Sequence, residues 1–334
     1  MVIVLSLAII VFCSIVIWKV GDIFATSSSN IGDYLKLPRS VKGATFDAIA
    51  SSFPELMVAV FSVLSFNKFE VGIGTIAGSA LFNLLIIPGI AVLVAPKAFK
   101  VSKEIFNRDA LFYLISVFAL LVALSYSKIW GLGVPLIFIL IYIWYLRDIV
   151  RDTKVHRLKK KLLNVKTFIS KQSLSDKKVH LWKNIFIAFG TMLVMGIATY
   201  FLTQQAIVFS EAIGIPAIII SFTIIAAATS IPDTVVSVAN ARRGDIDDAT
   251  SNVFGSNIFD ILIGLSIPLL LAYFFTGPVT IVFNHMEIIF GLFGATILSL
   301  YFLRKYELKK IEGIFLLLLY AVFLVYIIKL SLVG

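Results

Sequence analysis

Glu55 and Asp233 each follow a proline inside a hydrophobic stretch, and each is preceded by two hydroxyl side chains: Ser51 and Ser52 before Glu55, Thr229 and Ser230 before Asp233. An ionisable side chain at the centre of a bilayer costs at least about 2.5 kcal/mol on insertion scales, so such residues mark ion paths. A structural carboxylate would need a base from a neighbouring span. The Lys and Arg residues, however, cluster at the ends of the apolar stretches. The prolines explain how a cation site arises. Pro54 and Pro232 have no N–H, so the carbonyls of Ala50 and Ala228 lose their helical donors and the helix opens beside the acid. Carbonyls, hydroxyls and carboxylates are hard oxygen ligands. Calcium takes about six to eight of them at about 2.3–2.6 Å, and sodium is also served by hydroxyls and carbonyls.

Spacings of three and four residues are expected to set Ser51 and Ser52 on the helix face of Glu55, and Thr229 and Ser230 on that of Asp233. Ser79 with Asn83, and Ser256 with Asp260, repeat the four-residue spacing in the following hydrophobic stretches. Four polar-faced helices would then meet at one point in mid-membrane, with glycines such as Gly74 and Gly78 allowing close approach. Gly72–Gly78 only superficially resembles a phosphate loop, because it opens a membrane span. Asp47 lies eight residues before Glu55, about 12 Å toward one membrane face by helical rise. Two readings apply to it: an interfacial carboxylate balanced by Lys42 or water, or a part of the inner access path. The three histidines, His156, His180 and His285, lie outside the polar-faced helices, which disfavours a transition-metal site.

The elements that must position these residues follow from composition. Of the 334 residues 60% are hydrophobic and 14% charged, too apolar for a soluble surface. Ten apolar stretches are long enough to span a bilayer, near 2–20, 41–66, 70–95, 110–127, 129–146, 184–206, 216–240, 249–273, 286–303 and 311–330. The first lacks a basic start and a cleavage site and reads as a span, not a signal. The expected fold class is an all-α membrane protein of ten transmembrane helices in two inverted five-helix repeats. Residues 1–146 form the first repeat, 147–183 a basic loop and 184–334 the second repeat.

An odd number of spans per half forces opposite orientations, and the halves match in sequence. A-I-A-S-S-F-P-E-L-M-V-A-V at 48–60 aligns with A-A-A-T-S-I-P-D-T-V-V-S-V at 226–238, and G-S-A-L-F-N at 78–83 with G-S-N-I-F-D at 255–260. The net charge of +10 is unevenly spread. All but Lys68, Lys128 and Lys329 of the 29 Lys and Arg fall on one side of the alternating connections, and twelve of them lie between Arg147 and Lys183. The positive-inside rule makes that side cytoplasmic and both termini external. This distribution points to lipid headgroups along the basic stretch R-L-K-K-K-L-L at 157–163, and not to nucleic acid. R-R-G-D-I-D-D at 242–248 reads as a solvated cytoplasmic turn. With Cys13 the sole cysteine, an intrachain disulfide is impossible.

On these motifs the chain resembles the calcium/cation antiporter superfamily. G-A-T-F at 43–46, G-I-G-T-I-A-G-S-A-L-F-N at 72–83, T-S-I-P-D at 229–233 and G-S-N-I-F-D are most similar to the potassium-dependent sodium/calcium exchangers. The resemblance implies a plasma-membrane antiporter, not an enzyme, exchanging sodium for calcium by alternating access without a cofactor. It implies calcium ligation by Glu55 and Asp233 with Ser51 and Thr229. Sodium would bind at Ala48, Ser51, Ser52, Ser79 and Glu55 on the inner side, and at Ala226, Thr229, Ser230, Ser256 and Asp233 on the outer side. Asn83 and Asp260 would complete the middle. Proton-coupled calcium exchangers carry Gly-Asn ahead of the acid, where this chain has Ala50-Ser51 and Ala228-Thr229, which favours sodium coupling. Potassium stays open: Asp260 is associated with it, but some potassium-independent exchangers share that residue, and Asp47 departs from the apolar residue expected there. Outside this class, an intramembrane aspartyl hydrolase would use two acids but has no use for hydroxyls repeated around each. A passive channel is a further alternative.

Overall fold

Backbone groups cannot be left unpaired in hydrocarbon, and the chain meets this constraint with helices. The computed structural model describes residues 1–35, 37, 39–126, 128–163 and 181–333. In order, the main helices are α1 (Val2–Tyr34), α2 (Ala44–Ser51), α3 (Phe53–Leu64), α4 (Phe69–Val94), α5 (Phe106–Tyr126), α6 (Gly133–Leu163), α7 (Leu181–Ile213), α8 (Ala217–Thr229), α9 (Ile231–Arg243), α10 (Ile246–Thr276), α11 (Met286–Leu303) and α12 (Lys310–Val333). Among the described residues eight helices are long and apolar enough to cross a membrane, or up to ten if each bent pair is one span. Those pairs are α2 with α3, bent by 50°, and α8 with α9, bent by 44°.

Several boundaries depart from expectation. α1 runs to Tyr34, well beyond the predicted end near residue 20. Hydropathy stops there but helical pairing does not. The Ser27 hydroxyl donates to the Ile23 carbonyl at 2.9 Å, and that of Ser28 to the Phe46 carbonyl at 2.9 Å, so the polar extension is satisfied by packing. α6 likewise continues into the basic segment as far as Leu163, so R-L-K-K-K-L-L prolongs a helix. The rest of that segment, 164–180, lies outside the described residues.

α4 and α10 form the centre: 72% of the most apolar stretch of α4 and 61% of that of α10 are buried, against 22% for α1 and α12. α1 and α7 pack along each other through Ile10, Cys13 and Ile17 against Ala198, Leu202 and Ala206. Glycine sets how closely α4 approaches α8. A Cβ on Gly78 would overlap the Phe222 carbonyl oxygen and lie 2.7 Å from the Ala226 Cβ. Gly255, on α10, meets α2 in the corresponding way: its Cβ would lie 2.9 Å from the Ala44 Cα and 3.2 Å from the Ala48 Cβ.

Two short antiparallel ladders tie the connecting segments. β1 (Phe99–Lys100), after α4, pairs with β4 (Glu307–Leu308), before α12. β2 (Ile129–Trp130), before α6, pairs with β3 (Val279–Thr280), after α10. At the start of α5, buried Arg108 donates from Nε to Asp109 Oδ1 at 2.6 Å and from Nη2 to Oδ2 at 3.0 Å. Tyr145 of α6 (3.2 Å) and Ser251 of α10 (3.1 Å) also donate to Asp109. A buried carboxylate satisfied by four donors on three helices is a packing node, and no motif in the sequence singles out Asp109.

Candidate cation site

The site is built at two helix breaks. The Ser52 N–H donates to the Ala48 carbonyl and the Ser230 N–H to the Ala226 carbonyl, each at 3.0 Å, and these bonds close α2 and α8. Pro54 and Pro232 then occupy the first turn of α3 and α9, where the missing N–H costs nothing. Glu55 and Asp233 sit in those same first turns, at the helix end whose partial positive charge favours an anion. Alignment of proline, acid and break is thus a local consequence of sequence, repeated twice.

The breaks bring the twelve predicted site residues together and bury all of them: Ala48, Ser51, Ser52, Glu55, Ser79, Asn83, Ala226, Thr229, Ser230, Asp233, Ser256 and Asp260 are fully enclosed. Ser79 on α4 is the hub. Its hydroxyl lies 3.2 Å from Glu55 Oε1 and 3.4 Å from Asp260 Oδ2, and accepts from the Ser230 hydroxyl at 2.9 Å. Asn83 donates to Asp233 Oδ2 at 2.7 Å and to Asn257 Oδ1 at 3.1 Å.

The hydroxyls are placed differently from the expectation of a shared helix face. Thr229 lies beside Glu55, Ser51 beside Asp233 and Ser52 beside Asp260, and they donate to backbone carbonyls, Thr229 to Ile225 at 3.1 Å and Ser51 to Asp47 at 2.9 Å, which leaves their oxygens able to accept or ligate. The reason is the bend at Ser52 and Ser230, which interrupts the helical period between each hydroxyl pair and the acid that follows it. Each of these three hydroxyls therefore lies beside a carboxylate of the other sequence half. Ser52 also donates to the Ser256 carbonyl at 3.4 Å.

Two polar residues of the site are not among those expected from sequence. Asn257 donates to the Ala80 carbonyl at 3.1 Å. Asn252 faces Asp233 and donates to the Ser237 hydroxyl at 3.0 Å. Asn252 stands four residues before Ser256 and eight before Asp260, so helical spacing alone is the signal that could have found it.

Several acceptors remain unsatisfied. Glu55 Oε2, Asp233 Oδ1, Asp260 Oδ1, Asn83 Oδ1 and Asn252 Oδ1 are buried with no hydrogen-bond partner. Buried polar atoms are nearly always paired, and orphaned acceptors drawn from carboxylates and amides fit a desolvated cation as the missing partner. Among the described residues no three His, Cys, Asp or Glu side chains close on one point. Ligation here would therefore combine carboxylates with hydroxyl, amide and carbonyl oxygens. Asp47 stands apart from this cluster, in the wall of an open cleft of about 520 Å³ that also borders α1, α9 and the start of α10.

Helices broken beside buried acids, around an all-oxygen centre, define a membrane ion-transport protein. A profile of the sodium/calcium exchanger protein family matches residues 5–147 and 183–329, and the chain belongs to that family. It is a family of ion exchangers, not enzymes, which removes the hydrolase reading. The chain is 27% identical to sodium/calcium exchanger MaX1 of Methanosarcina acetivorans, over 92% of this chain and 94% of that protein. It is 28% identical to human sodium/potassium/calcium exchanger 5, over 78% of this chain and 69% of that one. Its fold resembles that of the sodium-calcium exchanger NCX_Mj soaked with sodium and strontium, with a TM-score of 0.66 and 23% identity over 96% and 97% of the two chains.

Proposed function

We infer that this chain exchanges sodium for calcium across a membrane by alternating access, using one central site. The observation that carries the reading is the set of unpartnered oxygens on Glu55, Asp233 and Asp260, contributed by both sequence halves and sealed from solvent. Carboxylates able to neutralise a divalent ion, next to hydroxyls suited to sodium, let the two ions compete for the same atoms. Mutual exclusion then couples their movements. Hydroxyls at Ser51 and Thr229, which carry no readily titrated proton, favour sodium over the alternative of proton coupling.

The topology that fits is ten spans in two inverted five-helix units, 1–146 and 184–334, joined by a cytoplasmic basic segment at 147–183. Three features support it: the matching breaks at Ser52 and Ser230, the equivalent Gly78 and Gly255 contacts, and the two ladders. In sequence position β3 corresponds to β1 and β4 to β2, so each ladder is the counterpart of the other under exchange of the halves. The charge distribution puts the termini outside the plasma membrane.

Potassium is assigned to Asp260, the third carboxylate, whose charge exceeds what calcium alone requires at the site. The human relative carries potassium in its name and the Methanosarcina relative does not. The test is calcium-45 uptake into proteoliposomes under separate sodium, potassium and pH gradients. A sodium gradient, with potassium and pH equal on the two sides, is expected to drive uptake; uptake driven by a pH gradient and indifferent to sodium would reverse the assignment. Asp260→Asn is expected to change the potassium response, and an unaltered response would remove potassium from Asp260.

A further inference from the structure

Asn83 is an amide, whereas its counterpart in the second half, Asp260, is a carboxylate. The two differ in more than charge. Both oxygens of an ionised carboxylate accept, so it offers a cation the same atoms whichever way it turns. An amide carries one oxygen and one NH2 group, and turned the wrong way it aims hydrogens at the ion. Asn83 can serve a cation only if some group holds it one way round.

The hydrogen bonds around it identify that group. Asn257 of α10 donates from Nδ2 to the Ala80 carbonyl at 3.1 Å. A carbonyl only accepts, so this bond fixes the Asn257 amide with Nδ2 toward Ala80 and Oδ1 toward Asn83. Asn83 Nδ2 donates to that Oδ1 at 3.1 Å, to Asp233 Oδ2 at 2.7 Å and, at 3.4 Å, to the Ser79 hydroxyl. All of these partners are on Nδ2, and Asn83 Oδ1 is buried with none. Reversing the Asn83 amide would set its oxygen against the oxygens of Asp233 and Asn257. Ala80 and Asn83 lie three residues apart on α4, so Asn257 spans one turn of that helix with a donor at one end and an acceptor at the other.

Packing holds Asn257 in turn. Phe254, three residues before it, meets the ring of Tyr113 of α5 at a centroid distance of 5.8 Å. The Tyr113 hydroxyl lies beside Asn257 and accepts from Thr296 of α11 at 3.3 Å. Asn83, Asn257 and Tyr113 are all fully buried, so no bulk water competes for either amide. The arrangement is one-sided. Position 80, the counterpart of Asn257, is Ala, and the residue it would hold, Asp260, has no orientation to fix.

We propose that Asn257 is a positioning residue: it clamps the Asn83 amide so that Oδ1 is the atom left for the cation. The identity of that cation rests on the exchange reading, and the orientation of the amide does not.

The experiment is a double-mutant cycle on purified full-length protein, read as equilibrium calcium-45 binding, with thermal unfolding as the check on folding. Asn257→Leu keeps the volume of the side chain and removes both ends of the clamp. It is expected to raise the calcium dissociation constant about tenfold, the scale of losing one buried hydrogen-bonded partner. Asn83→Ala removes the clamped oxygen, and adding Asn257→Leu to it should change binding by less than about twofold, because nothing is left to orient. A merely structural role would give the same loss in both backgrounds, and that result would overturn the proposal. So would wild-type binding in Asn257→Leu alone. If Asn257→Leu does not fold, Asn257→Ala, which brings in no new bulk, carries the same cycle with the same expected outcomes. Wild-type protein that binds calcium but shows no sodium-driven flux would overturn the exchange reading and leave the cycle to decide the clamp. Wild-type protein that binds no calcium would overturn both.

Discussion

Glu55→Gln is expected to abolish calcium transport, lowering calcium-45 flux to that of empty liposomes while the protein remains folded. Glu55 is fully buried, with Oε1 facing the Ser79 hydroxyl at 3.2 Å and Oε2 unpartnered. The amide keeps the size of the side chain and one acceptor. It removes a full negative charge and turns one ligand atom into a donor that points its hydrogens at the cation. A divalent ion leaving water needs its charge matched within the site, and calcium affinity follows the number of charged ligands. Folding should survive, because a buried uncompensated carboxylate is itself unfavourable and its neutral isostere relieves that cost. The measurement pairs flux with thermal unfolding of the purified protein. Retained transport in a stable variant would remove Glu55 from the ion path.

Gly78→Ala is the second large effect expected. The added methyl would overlap the Phe222 carbonyl oxygen, an approach that no rotamer change relieves because the obstacle is backbone. α4 and α8 must separate. Ser79, the next residue, would be carried away from Ser230 and Glu55. Overpacking of this kind costs about 1–3 kcal/mol, so the unfolding temperature should fall together with calcium flux. Gly255→Ala meets its nearest atom at 2.9 Å and should be milder. Gly190→Ala, with nothing within 4 Å, should be silent. Equal behaviour of all three variants would refute this account of the α4–α8 contact.

Much of this arrangement is legible in the residues. A proline beside an acid in an apolar run has few outcomes, and its repetition after 178 residues makes Glu55 and Asp233 members of one design. The same logic brings in Ser79, Asn83, Ser256 and Asp260. The hidden part depends on three-dimensional direction. Helical spacing cannot be carried across Ser52 and Ser230 as though the helix continued, because bends of 50° and 44° redirect the hydroxyls to the other half. Asn252 and Asn257 escape because their first-half counterparts are Thr75 and Ala80, so a comparison that rewards matches passes over them. The polar end of α1 escapes for a related reason: hydropathy records contact with lipid, whereas residues 21–34 are held helical by α2, α7 and α9.

The crossed pairing has a consequence for how such a chain can be divided. If every acid were served by hydroxyls from its own copy, each half would carry a complete coordination shell, and a duplicated protein could in principle be reduced to one copy working as a dimer of identical parts. Here Asp233 accepts from Asn83 and Asp260 faces Ser79, both of the other half, and the Ser79 hydroxyl that meets Glu55 is itself held by Ser230. The two copies have also ceased to be interchangeable, since Asn83 answers to Asp260 and Ile225 to Asp47. Neither half is a smaller version of the whole. Two first halves assembled together would contain no Asp260, and two second halves no Asp47, so joining the two unlike halves in one chain is what keeps their differences in fixed proportion around a single cluster of acids.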